Sequence, residues 1–509
     1  TEGTEGTEFT EESLTVLFSA GLPGNETSSL CSSPLCVLCA LCGARTFRLT
    51  PYPLLLTPPL HPFPTGGSFP PPLKPQAQRM RIHLHALGCR LNEAELETWA
   101  RQFKAGGHGI VAGPEAADVV VLNTCAVTQE AVRKSRQLIK RAHQANPAAR
   151  LVVSGCYASL EPGSAAETLG VDLVVENPDK DRLVEITARE LDLPLMPAMA
   201  TEPGETSLFT RGRHRAFIKV QDGCRYRCTF CIVTRARGEE RSRPIADIVE
   251  EINALVAQGV QEAALTGVHV GGYGSDLGTD LRTLIAAILA DTDLPRLRLA
   301  SVEPWDLPED FFALFDDPRL MPHMHLPLQS GSDTVLRRMA RRCKTAEFER
   351  LITEARSRIP GFNVTTDIIV GFPGETESEW TESRDFVERI GFGHLHIFAY
   401  SPREGTRAAT LPGRIDKATQ KARSRELHAL GARLRRDSLE AMQGKQAEVL
   451  WERPRRTDTP GEVIYTGYTP NFLRVEMPGP VDRDLENRIT RVRLTALNPE
   501  ADALLAEPA

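Results

Sequence analysis

The chain has 509 residues, 41% of them hydrophobic and 25% charged, with a net charge of −7 at neutral pH. As a soft prior the length suggests about three domains, and the composition is that of an ordinary globular protein. The negative balance excludes a generic polyanion binder, so any nucleic-acid contact must come from local patches, and no run approaches the ~20 apolar residues of a membrane span. Eleven cysteines in a chain of this size point to metal ligands in a reducing compartment more readily than to disulfides.

Residues 1–79 contain no Asp and no Lys before Lys74. They open on a Glu-Gly-Thr repeat and run into a Pro-rich stretch, 51–75, without helical or strand periodicity. Such a segment buries too little apolar surface to offset its ordering entropy. It is expected to be disordered, or a mis-annotated extension with Met80 as the natural start. Cys31, Cys36, Cys39 and Cys42 lie among apolar residues with no organised domain after them, and are expected to be bystanders. No basic residue precedes the apolar run, which argues against a signal peptide.

From Met80 the pattern alternates: strands at 82–87, 119–122 and 151–154, helices at 92–104 and 128–144. The repeat suits βα units stacked on a parallel sheet. A cysteine follows each strand: Cys89 in Leu87-Gly-Cys-Arg-Leu-Asn92, Cys125 in Asn123-Thr-Cys-Ala-Val127, and Cys156 in Ser154-Gly-Cys-Tyr157. Parallel strands place their carboxyl ends on one edge, where ligand sites gather. A lone free Cys is more often buried core. Three at the same position predict a metal cluster.

Strands at 216–220, 263–266, 296–301, 324–326, 364–370 and 394–398 then alternate with helices at 245–258, 281–290, 333–341, 346–359 and 377–390. That repeat predicts a full or partial barrel with its chemistry at the strand carboxyl ends. The first of these strands delivers Cys224, Cys228 and Cys231, a C-x3-C-x2-C triplet with Phe230 before the last Cys. Three thiolates hold three irons of a 4Fe-4S cube and leave one iron open, whereas zinc and closed clusters want four protein ligands. An open iron is what S-adenosylmethionine (SAM) needs if it is to chelate the cluster. Gln329, Ser330 and Gly371 follow predicted strands and are expected to face SAM. Glu303 either joins them or caps the next segment. Arg235, Arg237, Arg241 and Arg243 either bind phosphate or carboxylate groups or form a salt-bridged surface loop. Cys343 fits neither trio.

Residues 417–436 read as a helix rich in Lys and Arg, which either contacts RNA or is a solvated linker. Short strands at 447–451, 463–466, 472–476 and 491–497 predict a small antiparallel barrel. Tyr465, Tyr468, Phe472 and Arg474 could stack bases and touch phosphate, or belong to the barrel core.

Taken together, the triplet, Leu87-Gly-Cys-Arg-Leu-Asn-Glu-Ala-Glu95, Asn123-Thr-Cys-Ala-Val-Thr128, Ser154-Gly-Cys156, His325-Leu-Pro-Leu-Gln-Ser-Gly-Ser332, Asp367-Ile-Ile-Val-Gly-Phe-Pro-Gly-Glu-Thr376 and Tyr400-Ser-Pro-Arg403 resemble the radical-SAM methylthiotransferases. The resemblance implies an α/β chain in three parts. These are an N-terminal Rossmann-like α/β domain (80–195), a radical-SAM partial (β/α)6 barrel (210–440) and a small antiparallel β-barrel of the TRAM type (442–507). It implies two 4Fe-4S clusters. The one on Cys224, Cys228 and Cys231 cleaves one SAM; the one on Cys89, Cys125 and Cys156 carries the incoming sulfur, and a second SAM supplies the methyl group. The first motif and Gly467-Tyr-Thr-Pro-Asn-Phe-Leu-Arg-Val475 look like the MtaB-type branch, which adds a 2-methylthio group to N6-threonylcarbamoyladenosine beside the tRNA anticodon. Two alternatives stay open: the same chemistry on an aspartate of a small-subunit ribosomal protein, and a non-catalytic iron–sulfur RNA-binding protein. The implied partners are the tRNA anticodon stem-loop, an electron donor such as flavodoxin or ferredoxin, and a sulfur donor, with no membrane. The hydrophobic anchor of eukaryotic relatives is missing, so a bacterial cytoplasmic location is expected.

Overall fold

The computed structural model describes residues 79–168, 170–193 and 214–509, all within the unit Leu73–Ala509. The expectations for 1–78, with their four cysteines, and for the segment 194–213 lie outside the described residues.

Five parallel strands, β1 (Arg81–Ala86), β2 (Gly109–Val111), β3 (Val119–Thr124), β4 (Arg150–Gly155) and β5 (Leu173–Val175), form a sheet in the order β2-β1-β3-β4-β5. Alternate residues of β3 serve two cores. Val119 and Val121 pack with Trp99 and Phe103 of α1 (Arg90–Ala105), while Val120 and Leu122 pack with Val132 and Ile139 of α2 (Gln129–Ala145). Burial on both faces is why β3 reads as a continuous apolar run rather than an alternating one. The short helices α3 (Cys156–Leu160) and α4 (Pro162–Ala166) follow β4, and α5 (Leu183–Glu190) lies on the α1 face. The sequence reading lacked β2, β5 and α5; a strand of three residues is too short for periodicity to show.

Six further parallel strands run in chain order: β6 (Arg215–Lys219), β9 (Glu262–Thr266), β10 (Arg296–Leu299), β11 (His323–His325), β12 (Asn363–Val370) and β13 (His394–Ala399). They form two three-stranded sheets joined through the bridges Leu297–Leu320 and Ser301–His325. Between β6 and β9 lies a hairpin, β7 (Gln221–Asp222) with β8 (Arg241–Ser242). Helices α6 (Val233–Arg237), α7 (Ile245–Ala257), α8 (Leu281–Asp291), α9 (Asp333–Arg338), α10 (Thr345–Arg358), α11 (Glu377–Ile390) and α12 (Lys417–Glu440) fill the connections. Ile248, Leu284, Phe348 and Phe386 of these helices share one core with Ile218, Leu265, Leu297 and Ile368 of the strands. Because side chains alternate along a strand, the opposite, inner positions belong to Arg215, Glu262, Arg298 and Asp367. The lumen is therefore polar. α11 starts at a capping box of Thr376 and Glu379 and stops at left-handed Gly391.

The C-terminal strands are β14 (Gln446–Trp451), β15 (Arg455–Arg456), β16 (Glu462–Tyr468), β17 (Arg474–Pro480), β18 (Ile489–Leu497) and β19 (Leu504–Pro508). The order β14-β18-β19-β17-β16 closes through a β14–β16 pairing, and β15 lies outside on β16. The expectation of an antiparallel barrel needs one correction: β17 and β19 pair parallel. Strand β19, which supplies that pairing, had gone unread because it is short and ends the chain. Tyr465 is barrel core, packed with Trp451, Val475 and Met477, and its hydroxyl donates to the Pro480 carbonyl at 2.6 Å. No described helix is long and apolar enough to cross a membrane.

Candidate active site

Gly223, with a φ of 71°, turns the chain from β7 into the Cys224 loop; a Cβ there would collide with the Glu239 carbonyl. Only glycine fits both demands. The loop is then pinned at several points. The Cys224 N–H donates to the Gly238 carbonyl at 3.2 Å, and the Thr229 N–H to that of Met339 at 2.9 Å. Phe230 packs on Val335, Met339 and Phe372, which fixes the turn between Cys228 and Cys231. Burial, joined by the charges of Glu303 and the neighbouring thiolates, pushes the Cys224 thiol up to about 12; burial with the neighbouring thiolates pushes that of Cys231 up to about 11. Arg341 stands 3.8 Å from the Cys228 sulfur. Thiols such as those of Cys224 and Cys231, which resist ionisation on their own, fit a cationic cluster that stabilises the thiolate form.

The strand-end cysteines also converge. Gly88, with a φ of 115°, brings the end of β1 against Cys125: a Cβ on it would lie 2.8 Å from both Cβ and Sγ of that cysteine. Gly155, with a φ of 94°, does the same for β4 against the Thr124 carbonyl. The Cys125 N–H donates to Ser135 Oγ at 3.0 Å, and Ser135 donates back to the Cys125 carbonyl at 2.8 Å. Burial, joined by the charges of Cys156 and Cys89, raises the Cys125 thiol to about 11. Cys125 and Cys156 are buried, whereas solvent reaches Cys89 although protein crowds it. The two trios are neighbours, since α3, which opens with Cys156, packs on α6, which follows Cys231. Asn177 spans the seam, donating to the Ala236 carbonyl at 2.6 Å and reaching to 3.9 Å from the Cys156 sulfur.

Behind both trios runs a buried ionic seam. Arg237 donates to Glu95 at 2.8 Å, Asp222 at 3.0 Å and Asn92 at 2.6 Å. Lys180, fully buried, pairs with Glu95 at 2.5 Å and Asp222 at 2.8 Å, and Lys219 meets Asp222 at 3.1 Å. Burial works to raise the Glu95 carboxyl, but Arg237, Lys180 and Lys219 hold it down to about 2. Arg237 is therefore no surface residue and no ligand for an external phosphate. It ties the radical domain to the first sheet.

Comparison with known proteins agrees with this architecture. The profile of the Radical SAM superfamily matches residues 218–387, and that described as "Uncharacterized protein family UPF0004" matches residues 81–176. The threonylcarbamoyladenosine tRNA methylthiotransferase MtaB of Bacillus subtilis (strain 168) is 35% identical over 427 residues, covering 81% of this chain and 93% of that protein. The chain belongs to the radical-SAM tRNA methylthiotransferases. The MtaB of Thermotoga maritima is 36% identical, with 67% of this chain and 80% of that protein covered. The tRNA-2-methylthio-N(6)-dimethylallyladenosine synthase of Moorella thermoacetica is 35% identical, with 82% and 96% covered. Among solved structures, the radical S-adenosylmethionine methyltransferase TsrM from Kitasatospora setae shares the fold at 17% identity, with a TM-score of 0.50 over 65% of this chain and 74% of that one.

Within this methylthiotransferase the remaining predicted residues fall unevenly. Gln329 is held at a φ of 79°, its backbone paired to Asp367 and Ile369. A non-glycine residue there carries strain. Ser330 is fully buried and accepts from the Ser332 N–H at 3.3 Å. Gly371 donates to Glu375 at 2.9 Å and accepts from Gln420 at 3.1 Å. Ser330 and Gly371 thus serve the protein's own turns. Cys343 is core of the radical domain. Tyr468 and Phe472 stack on each other at 4.8 Å, and Arg298 lies 4.6 Å over Phe472, so this pair docks the barrel on the radical domain. Arg474 is engaged by Glu476 at 2.8 Å. On α12, Arg423 is buried against Glu375 at 2.8 Å, while Lys417, Lys421 and Arg425 form an exposed stripe at four-residue spacing.

The sequence reading missed His269. It is fully buried between Glu240 and Asp306, the latter at 2.7 Å, with Glu303 at 3.8 Å. Tyr226, on the triplet loop, donates to the same Asp306 at 2.8 Å. The available signal was its place just beyond the carboxyl end of β9, where such barrels keep their chemistry.

Proposed function

We propose that this enzyme adds a 2-methylthio group to N6-threonylcarbamoyladenosine beside the anticodon of tRNA. The observation that carries the reading is the pair of cysteine trios, Cys89, Cys125 and Cys156 with Cys224, Cys228 and Cys231, brought next to each other where α3 packs on α6. Three sulfurs apiece suit two 4Fe-4S clusters, each with one iron left for a non-protein ligand. When bound, the clusters and SAM supply the electron, the radical, the sulfur and the methyl group that an unactivated ring carbon requires.

The chain's own residues hold and shield these groups. Phe230 anchors the triplet loop, and Arg341 offsets the charge on Cys228. The Glu95–Arg237–Lys180 seam keeps the two cysteine sets at a fixed separation without admitting water. Of the residues expected to face SAM, the strained backbone supports Gln329; Ser330 and Gly371 shape the turns around it. The domains run from 80 to 195, Rossmann-like with both sheet faces covered, from 210 to 440, and from 442 to 507. The last is a TRAM-type barrel that, with the Lys417, Lys421 and Arg425 stripe, receives the anticodon stem-loop. A cytoplasmic setting with a flavodoxin or ferredoxin and a sulfur donor completes the reading.

Mass spectrometry of tRNA nucleosides from a deletion strain tests it. Loss of 2-methylthio-N6-threonylcarbamoyladenosine with its unthiolated precursor retained is the expected result. An unchanged nucleoside pool would overturn the reading.

A further inference from the structure

Arg90 follows Cys89 directly, and its guanidinium enters the lumen of the radical domain, 5.3 Å from the Phe217 ring and 5.9 Å from the Phe472 ring. Solvent reaches it, and among the described residues it makes no ion pair or hydrogen bond. The cations beside it are already competing for anions. Arg215 and Arg298 share the buried carboxylate of Glu262, the latter at 3.0 Å, and Arg215 also reaches Glu452 at 3.5 Å. Asp367, on the far side of the lumen, faces His325 at 3.3 Å. Three guanidinium groups against the two carboxylates of Glu262 and Glu452 leave this wall one anion short, next to a cysteine of the strand-end trio.

We propose that Arg90 binds the carboxylate of the substrate's N6 substituent and thereby sets specificity; this rests on the substrate read above. In adenine, C2 and the carbon bearing N6 flank the same ring nitrogen. A base that turns C2 toward the Cys89, Cys125 and Cys156 site therefore lays its N6 substituent along the wall where Arg90 waits. The guanidinium fork matches a carboxylate in bidentate geometry. Phe217 and Phe472 orient that fork from its faces.

The test compares anticodon stem-loop RNAs carrying either N6-threonylcarbamoyladenosine or its carboxamide, with methylthio product read by mass spectrometry. The wild-type enzyme should prefer the acid about 10- to 100-fold, mainly through KM. Arg90→Gln should lose that preference by weakening on the acid alone, and Arg90→Lys should keep part of it. Equal use of acid and amide by the wild type overturns the proposal, even if the variant fails to fold. So does an Arg90→Gln loss that is the same on both RNAs. A wild-type enzyme that ignores both RNAs but modifies dimethylallyladenosine RNA refutes the substrate reading itself.

Discussion

Cys224, Cys228 and Cys231 sit on one short loop, pinned by its own turns and by the ends of α9. Cys89, Cys125 and Cys156 come instead from three strand ends that meet because β1 pairs with β3 and β3 with β4. The two sets are neighbours across the packing of α3 on α6. They differ in what must fold first. The loop trio needs a local backbone path, whereas the strand-end trio needs a whole sheet, its covering helices and two left-handed glycines. Damage to the sheet should therefore reach one trio and spare the other.

The largest expected effect is that of Cys224→Ala, which should abolish reductant-dependent release of 5′-deoxyadenosine from SAM. Release at the wild-type rate would break the assignment of the loop trio. Cys125→Ala should keep part of that release and yield no methylthio product; normal product from this variant would remove the strand-end trio from the chemistry.

Glu95→Gln tests the seam that joins the two trios. It leaves Arg237 and Lys180 facing Asp222 alone, with Lys219 shared between Asp222 and Asp181, at a cost of about 3–5 kcal/mol in urea unfolding of the cluster-free chain at neutral pH. The folded-state carboxyl of Glu95 lies near 2, below its ordinary 4.5. Its stabilisation is thus complete above 4.5 and lost as pH falls toward 2, and the gap between variant and wild type should close over that window. A gap independent of pH would place the stabilisation elsewhere.

Gly155→Ala sharpens the comparison more finely. The left-handed backbone and the clash with Thr124 should cost about 1–3 kcal/mol. Iron content should fall from on the order of eight atoms per chain toward four, with SAM cleavage retained. Full iron loading would show that the strand-end trio tolerates a shifted sheet edge. The smallest effect belongs to Thr376→Ala, which removes the cap of α11 at about 1 kcal/mol. It should leave both trios loaded, as differential iron analysis would reveal.

The strands and helices of the radical domain were readable because apolar periodicity survives wherever an element is long enough, as in β12 and α11. The short elements β2, β5 and β19 were not, since a few residues carry no period. The aromatic residues of the barrel read ambiguously for a related reason. Tyr465, Tyr468 and Phe472 have the composition of a base-stacking surface, and only packing reveals Tyr465 as core and the other two as a docking plug under Arg298. Arg237 was misplaced because its partner Glu95 lies 142 residues away.

What the amino-acid order determined by itself was the number and spacing of the sulfur donors and their position after strands, because short-range periodicity and turn chemistry are local properties. What only the tertiary structure decided was which donors lie next to one another, that Arg237, Glu95, Lys180 and Asp222 lock the two trios together, and that Arg90 faces a wall one anion short. Those outcomes depend on charges brought together from distant parts of the chain in a water-poor interior, where each unmatched group is far more costly than in solvent.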